Sequence, residues 1–240
     1  MGRTYDVSNR RGGLVTFDNW DIYEAECADL IEMKPLSGVV SASYARIAGL
    51  SAYRLYHQDI PLRTLEMAFY VGGASAADCE KNVSELLYHA KECVIRTEFT
   101  DFEYPAILTG YTDTDTGVEY FHKVVLKFAA MKRLPMVTTT ISDTGINYVE
   151  NEGTGDSGLR MELTFDSSHD SVEVNFMTLH NVAAGVPFII DGIGYTIQSN
   201  GKNRLDDVDF YDFPKIGHGM NPIQLPSGCT CKLSYYPTFL

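Results

Sequence analysis

The chain has 240 residues, 45% of them hydrophobic and 21% charged, a globular composition that excludes a wholly disordered chain. Its 32 acidic residues outweigh 19 basic ones, and the net charge of −13 disfavours holding nucleic acid by neutralising phosphates. No apolar run reaches the roughly 18 residues that suggest a membrane span, so no membrane insertion is expected.

In chain order, residues 1–6 carry no hydrophobic signal-peptide core, and Asp6 stands where a myristoylation motif needs Ser or Thr. The expectation is a soluble protein made in a cytoplasm. Residues 1–130 then mix strands with one strong helix. Leu65, Met67, Phe69 and Val71 alternate with Thr64, Glu66, Ala68 and Tyr70, the pattern of a half-buried strand. Gly72-Gly73 ends that strand, Ser75 can cap a helix, and Asp78 stands three residues on like the acid of a capping box. The spacing predicts a helix over 75–94, with Cys79, Val83, Leu86, Leu87, Ala90, Cys93 and Val94 on its apolar stripe. Lys81, Asn82, Glu85 and Lys91 fall mostly off it.

A hairpin follows. Residues 104–111 rise, Asp113-Thr114-Asp115-Thr116-Gly117 turns, and 118–130 return. On the return strand Val118, Tyr120, His122, Val124, Leu126, Phe128 and Ala130 share one face, and Glu119, Lys123 and Lys127 the other. His122 sits in an apolar row and reads as a structural histidine. Residues 132–158 lose the pattern and read as ending in a loop beside a domain boundary. Beyond it, strands at 159–165, 172–179, 187–190, 195–199, 208–211 and 229–236 recur at the spacing of a β-sandwich. Asp191-Gly192 and Asn200-Gly201 mark hairpin turns.

Catalytic chemistry is not written in these residues. There is no G-x-S-x-G, no phosphate-binding glycine loop, no H-E-x-x-H and no dinucleotide fingerprint. The six histidines are scattered. The five cysteines include Cys229 and Cys231 on one strand face, but they lack the further ligands zinc requires and read as buried free thiols. Asp113 to Gly117 resembles the start of a calcium loop without its later ligands, and reads better as a hairpin tip. The run from Asp206 to Asp212 could hold calcium or glycan hydroxyls, but reads better as a solvated strand end. Trp20, the one tryptophan, supports no claim of a sugar platform. Neither enzyme, cofactor nor metal is expected.

The C-terminal third carries a resemblance. Val186-Pro187-Phe188-Ile189-Ile190-Asp191-Gly192, Asn200-Gly201, Phe213-Pro214, Gly219-Met220-Asn221-Pro222-Ile223 and Ser234-Tyr235-Tyr236-Pro237 occur in an order that resembles the siphophage distal tail proteins (the Dit family), hub proteins of the phage tail tip or baseplate. Pro214 and Gly219 would shape a connection, Asn221 would satisfy turn backbone, and the last strand would close a sheet. The strand ending at Val71, the helix and the hairpin suit the family's first domain. The family's frequent Gly-Arg-x-Gly turn is missing near residue 50, where Ala45-Arg46-Ile47-Ala48-Gly49-Leu50 stands.

The resemblance implies a mainly β fold: a ring-forming β-sandwich with one flanking helix over 1–135, a linker over 136–157, and a galectin-like β-sandwich over 158–240. It also implies a hexameric ring joining the tail tube to the host-adsorption apparatus. Expected partners are further copies of the chain, the tail tube protein, a tail-associated hub or lysin protein, and receptor-binding or tail-fibre proteins. DNA would pass through without specific binding. The protein would reside in the virion, after assembly in the host cytoplasm. Acidic Asp113, Asp115 and Glu119 are the candidates for the channel wall. The alternative is a module that binds host cell-wall glycans, which would need a site that fold alone does not supply.

Overall fold

The computed structural model describes residues 13–38, 41–46, 53–59, 62–118 and 120–240. Residues 1–6, residues 47–50 of the segment near residue 50, and Glu119 lie outside them. Two compact units divide the chain, Met1–Lys132 and Arg133–Leu240.

In the first unit the elements run β1 (Val15–Phe17), β2 (Trp20–Asp21), α1 (Ile22–Glu26), β3 (Ala28–Ser37), β4 (Ser41–Arg46), β5 (Tyr53–Asp59), β6 (Arg63–Gly72), α2 (Ala76–His89), β7 (Glu92–Thr97), β8 (Thr100–Asp115) and β9 (Phe121–Ala130). An antiparallel sheet has the order β2-β1-β7-β8-β9-β6-β3, while β4 and β5 pair with each other. The predicted alternation on β6 holds: Leu65, Met67, Phe69 and Val71 are buried, although Ala68 is buried as well. The sheet curls so that Phe17 on β1 meets Phe69 and Phe128 edge-on, with ring centroids 6.2 and 5.9 Å apart. All three are fully buried, and each contributes roughly 1.5–3 kcal/mol by leaving water.

The helix begins as predicted. Ser75 is extended and its Oγ accepts the Asp78 backbone N–H at 3.1 Å, while Cys79, Val83 and Leu86 are buried. It ends earlier than the predicted 94. Ala90 caps it, and Cys93 and Val94 belong to β7, where Cys93 pairs with Ala106 and Val94 with Pro105. Buried Cys93, Ile95 and Thr97 alternate there, so Cys93 satisfied both a helical and a strand period and sheet pairing decided.

The second unit packs a six-stranded sheet against smaller ones. Val137–Ile141, Cys229–Tyr235, Arg160–Phe165, Phe188–Asp191, Thr196–Ser199 and Lys202–Asn203 are neighbours in that order. Across it, His169–Val174, Met177–Val182 and Val208–Asp209 form one small sheet, and Gly145–Asn151 with Gly219–Leu225 another. Leu163 stands opposite both Phe188 and Cys231, which places the second thiol of the C-x-C pair in the core. Both predicted turns are present: Asp191 Oδ1 accepts the N–H groups of Ile193 and Gly194, and Asn200-Gly201 has positive φ at both residues.

Three expectations require correction. Residues 136–157, read as a linker, contain the strands Val137–Ile141 and Gly145–Asn151. The strand predicted over 172–179 is two strands joined at Asn175, whose φ of 55° reverses the chain. Residues 219–223, read as a turn, lie in the strand Gly219–Leu225, with the turn just before it.

Candidate functional site

The far end of the β8–β9 hairpin carries Asp113 and Asp115, two of the charged residues singled out from the sequence. β7 accompanies β8 only as far as Ile107, opposite Glu92. A register shift follows between Leu108 and Gly110. From there to Asp115, β8 is hydrogen-bonded among the described residues on one side only, to β9, and Tyr111 to Asp115 are all exposed. This is an edge strand, and charged side chains on such an edge oppose indiscriminate pairing.

Asp113 and Asp115 lie on the ladder, opposite Val124 and His122, and not in the turn where the sequence pattern placed them. The turn itself is held by the Asp115 carboxylate, which accepts the Gly117 N–H at 2.8 Å, and by the Thr116 hydroxyl, which donates to the Phe121 carbonyl at 2.7 Å. His122 Nδ1 lies 2.8 Å from Asp113 Oδ1. That hydrogen bond, with the nearby Asp113, Glu80 and Asp115 charges, raises the imidazole pKa above its ordinary value. His122 is half-buried and partnered, and the core row of β9 starts at Val124.

A second polar cluster, missed in the sequence, joins α1 to α2. Glu26 is 1% exposed and one carboxylate oxygen accepts the Trp20 indole N–H at 2.7 Å. The other oxygen is buried without a partner. Burial pushes the Glu26 carboxyl up to about 7, against the opposing effect of the Trp20 hydrogen bond. The Trp20 and His89 rings stack at 4.7 Å, so one indole face is covered by protein. Glu26 precedes a left-handed Cys27 at the end of a five-residue helix, too short a segment for its period to reveal a buried face.

Elsewhere the acidic run around Asp206 is occupied by protein cations and amides. Asp207 accepts from Asn181 and pairs with Arg204 at 2.7 Å, Asp209 meets His180 at 2.8 Å, and Asp212 pairs with Lys215 at 2.6 Å. Burial raises the thiol pKa of Cys93 to about 12 and of Cys229 to about 11, and pushes up Cys231 too, which keeps these sulfurs protonated and poorly nucleophilic. Among the described residues no group of three or more His, Cys, Asp or Glu is arranged to hold a metal ion. What the described surface offers is edges and apolar side chains, including Ile107, Phe99, Tyr148 and Met220, each at least half exposed.

Comparison with known proteins gave no matching family model and no matching curated protein. Solved structures do match. The Dit (gp 19.1) protein of phage SPP1, described as a paradigm of the hub adsorption apparatus in phages infecting Gram-positive bacteria, superposes with a TM-score of 0.71 at 18% identity. The match covers 95% of this chain and 99% of the SPP1 protein. A chain of the phage p2 baseplate in its activated conformation matches with a TM-score of 0.52 at 11% identity, covering 90% of this chain and 92% of that one. Over the 95% of its length that is matched, the chain has the fold of a phage Dit protein.

Proposed function

We propose that this chain is a non-enzymatic structural component of a phage tail tip, a distal tail protein. It forms a hexameric ring that joins the tail tube to the adsorption apparatus and leaves a channel for DNA. The observation that carries this reading is the correspondence of both units at once with the SPP1 Dit protein, over 95% of one chain and 99% of the other. A borrowed sandwich domain would match in one unit only. The exposed edge of β8 supports the reading, because a strand hydrogen-bonded on one side is a ready contact for another subunit.

Its partners would be further copies of itself, the tail tube protein, a hub or lysin protein, and receptor-binding or fibre proteins, all within the virion. The net charge of −13 suits a ring that DNA must cross without sticking. Negative-stain microscopy of the purified chain tests the ring. Closed hexamers are expected; monomers alone at high concentration, with no such ring in tail particles, would overturn it.

A further inference from the structure

The first unit carries two open apolar grooves whose charges are opposite. One, of about 670 Å³, has Ile31, Phe99, Lys34, Arg63 and Lys132 in its lining, with Glu32 as the one acid among the described residues there. The other, of about 450 Å³, includes Leu62, Ile107 and Met131 beside Asp18 and Glu92, with no basic residue among the described residues that line it. Both expose large apolar side chains: Ile31 and Phe99 are 43% and 62% accessible in the first, Leu62 and Ile107 47% and 50% in the second.

Backbone geometry separates the two. Tyr104 lines the first and Pro105 the second, and successive residues of a strand point to opposite faces. Leu62 and Arg63 divide in the same way, as do Met131 and Lys132. In the second groove Glu92, Ile107 and Ala129 stand in one cross-strand row on β7, β8 and β9. The grooves therefore open on opposite faces of one end of the sheet.

We infer that these grooves are the two halves of a head-to-tail contact, the acidic apolar groove of one copy docking against the basic apolar groove of the next. A single self-complementary patch would give a two-fold dimer, whereas two different patches on opposite faces give a heterologous contact that closes into a ring when the rotation allows. Opposite charges set its register and disfavour like-to-like docking, while the apolar residues supply the buried centre. This rests on the ring reading above and names the faces that would meet.

The test uses charge reversal in the full chain, read by native mass spectrometry. Glu92→Arg cancels the net negative charge of the second groove, leaving Asp18 beside the new cation, and Arg63→Glu cancels the net positive charge of the first. Each variant alone is expected to lose at least tenfold in assembled fraction. Mixed in equal amounts they are expected to recover it, as rings in which the two variants alternate. Half of the contacts then join the unaltered basic groove to the unaltered acidic one, and the other half set the introduced arginine against the introduced glutamate. Lys132→Glu, on the same groove as Arg63, is expected to behave as Arg63→Glu does, which separates docking from a local fault at residue 63. Variants that assemble alone as well as the parent chain overturn the inference and leave the ring reading standing. So do variants that disperse, melt as the parent does, and fail to recover on mixing. A parent chain that never assembles overturns the ring reading itself, and this inference with it.

Discussion

His122 Nδ1 lies 2.8 Å from Asp113 Oδ1, tying β9 to the exposed edge of β8 just before the hairpin turn. The contact raises the histidine pKa, with Glu80 and Asp115 adding to the effect. A folded-state pKa above the unfolded one means that the folded chain holds the proton more tightly. The stabilisation is therefore full below the ordinary imidazole value and is lost as pH rises through the raised one. Hydrogen exchange at the amides of 113–122 is expected to accelerate with pH beyond its intrinsic dependence. His122→Gln should remove that excess; an unchanged excess would place its source elsewhere.

Leu86 has no exposed surface and lies on the buried stripe of α2, whereas the Lys81 side chain is 69% exposed and pairs with Glu85 at 3.6 Å. Leu86→Ala is expected to cost about 2–5 kcal/mol, the range for truncating a buried leucine. Lys81→Ala removes a surface pair worth at most about 0.5 kcal/mol. Chemical denaturation should separate the two variants clearly, and equal midpoints would mean the helix faces another way.

Glu26, on α1 and 3.8 Å from His89 of α2, carries a pH response that the single tryptophan can report. Its carboxyl titrates at about 7 because it is buried. An acid held protonated by burial stabilises the fold most below the ordinary carboxylate value of 4.5, and that contribution fades as pH climbs to about 7. A rise of this size corresponds to on the order of 3 kcal/mol. Trp20 donates to this carboxylate, so its emission is expected to change across the same interval. Glu26→Gln should flatten both the melting profile and the fluorescence titration there.

Asn221 is the residue of the C-terminal motif whose expected role is directly visible. Its Oδ1 accepts the Gly217 N–H at 2.9 Å, and its Nδ2 donates to the carbonyls of Gly217 and Gly219 at 2.9 and 2.8 Å. Replacement by alanine strands several turn groups at once, for an expected loss of about 1–3 kcal/mol. Thermal melts of Asn221→Ala and Asn221→Asp should both fall, because the aspartate keeps the acceptor but not the donor. A neutral Asn221→Ala would show that water replaces the side chain.

The sequence was most legible where one face is buried and the neighbours are near in the chain. β6, the start of α2 and both turns of the Phe188–Asn203 meander have these properties. It was least legible where pairing is remote or the burial weak. Val137–Ile141 is intermediate or exposed along its whole length, and its partner strand lies some 95 residues away, with Thr138 meeting Ser234 at 3.1 Å. Nothing in its own pattern marks a strand except that all five of its residues are β-branched. At Asn175 an exposed Phe176 sits in the turn and prolongs the alternation of Val172 and Val174, which disguises a hairpin as one strand. The hairpin itself was legible, but Asp113 and Asp115 lie on its ladder and not in its turn, and the grooves depend on side chains that only the folded sheet gathers.

The edge of β8 also bears on passage of DNA. Between Thr109 and Asp115 this strand carries two acids and no base, and most of its side chains are exposed. In a ring, such an edge turned toward the channel would repel phosphate, and screening confines that repulsion to roughly 8 Å at physiological salt. Only side chains on the wall would matter. Phage carrying Asp113→Lys with Asp115→Lys are expected to release DNA several-fold more slowly, because the new cations hold phosphates through counterion release. The delay should shrink as salt rises, which separates it from a misassembled tail. A matched Asp101→Lys variant controls for charge alone. Tails of the double variant that assemble normally and eject at the parental rate in every salt would take Asp113 and Asp115 off the channel wall.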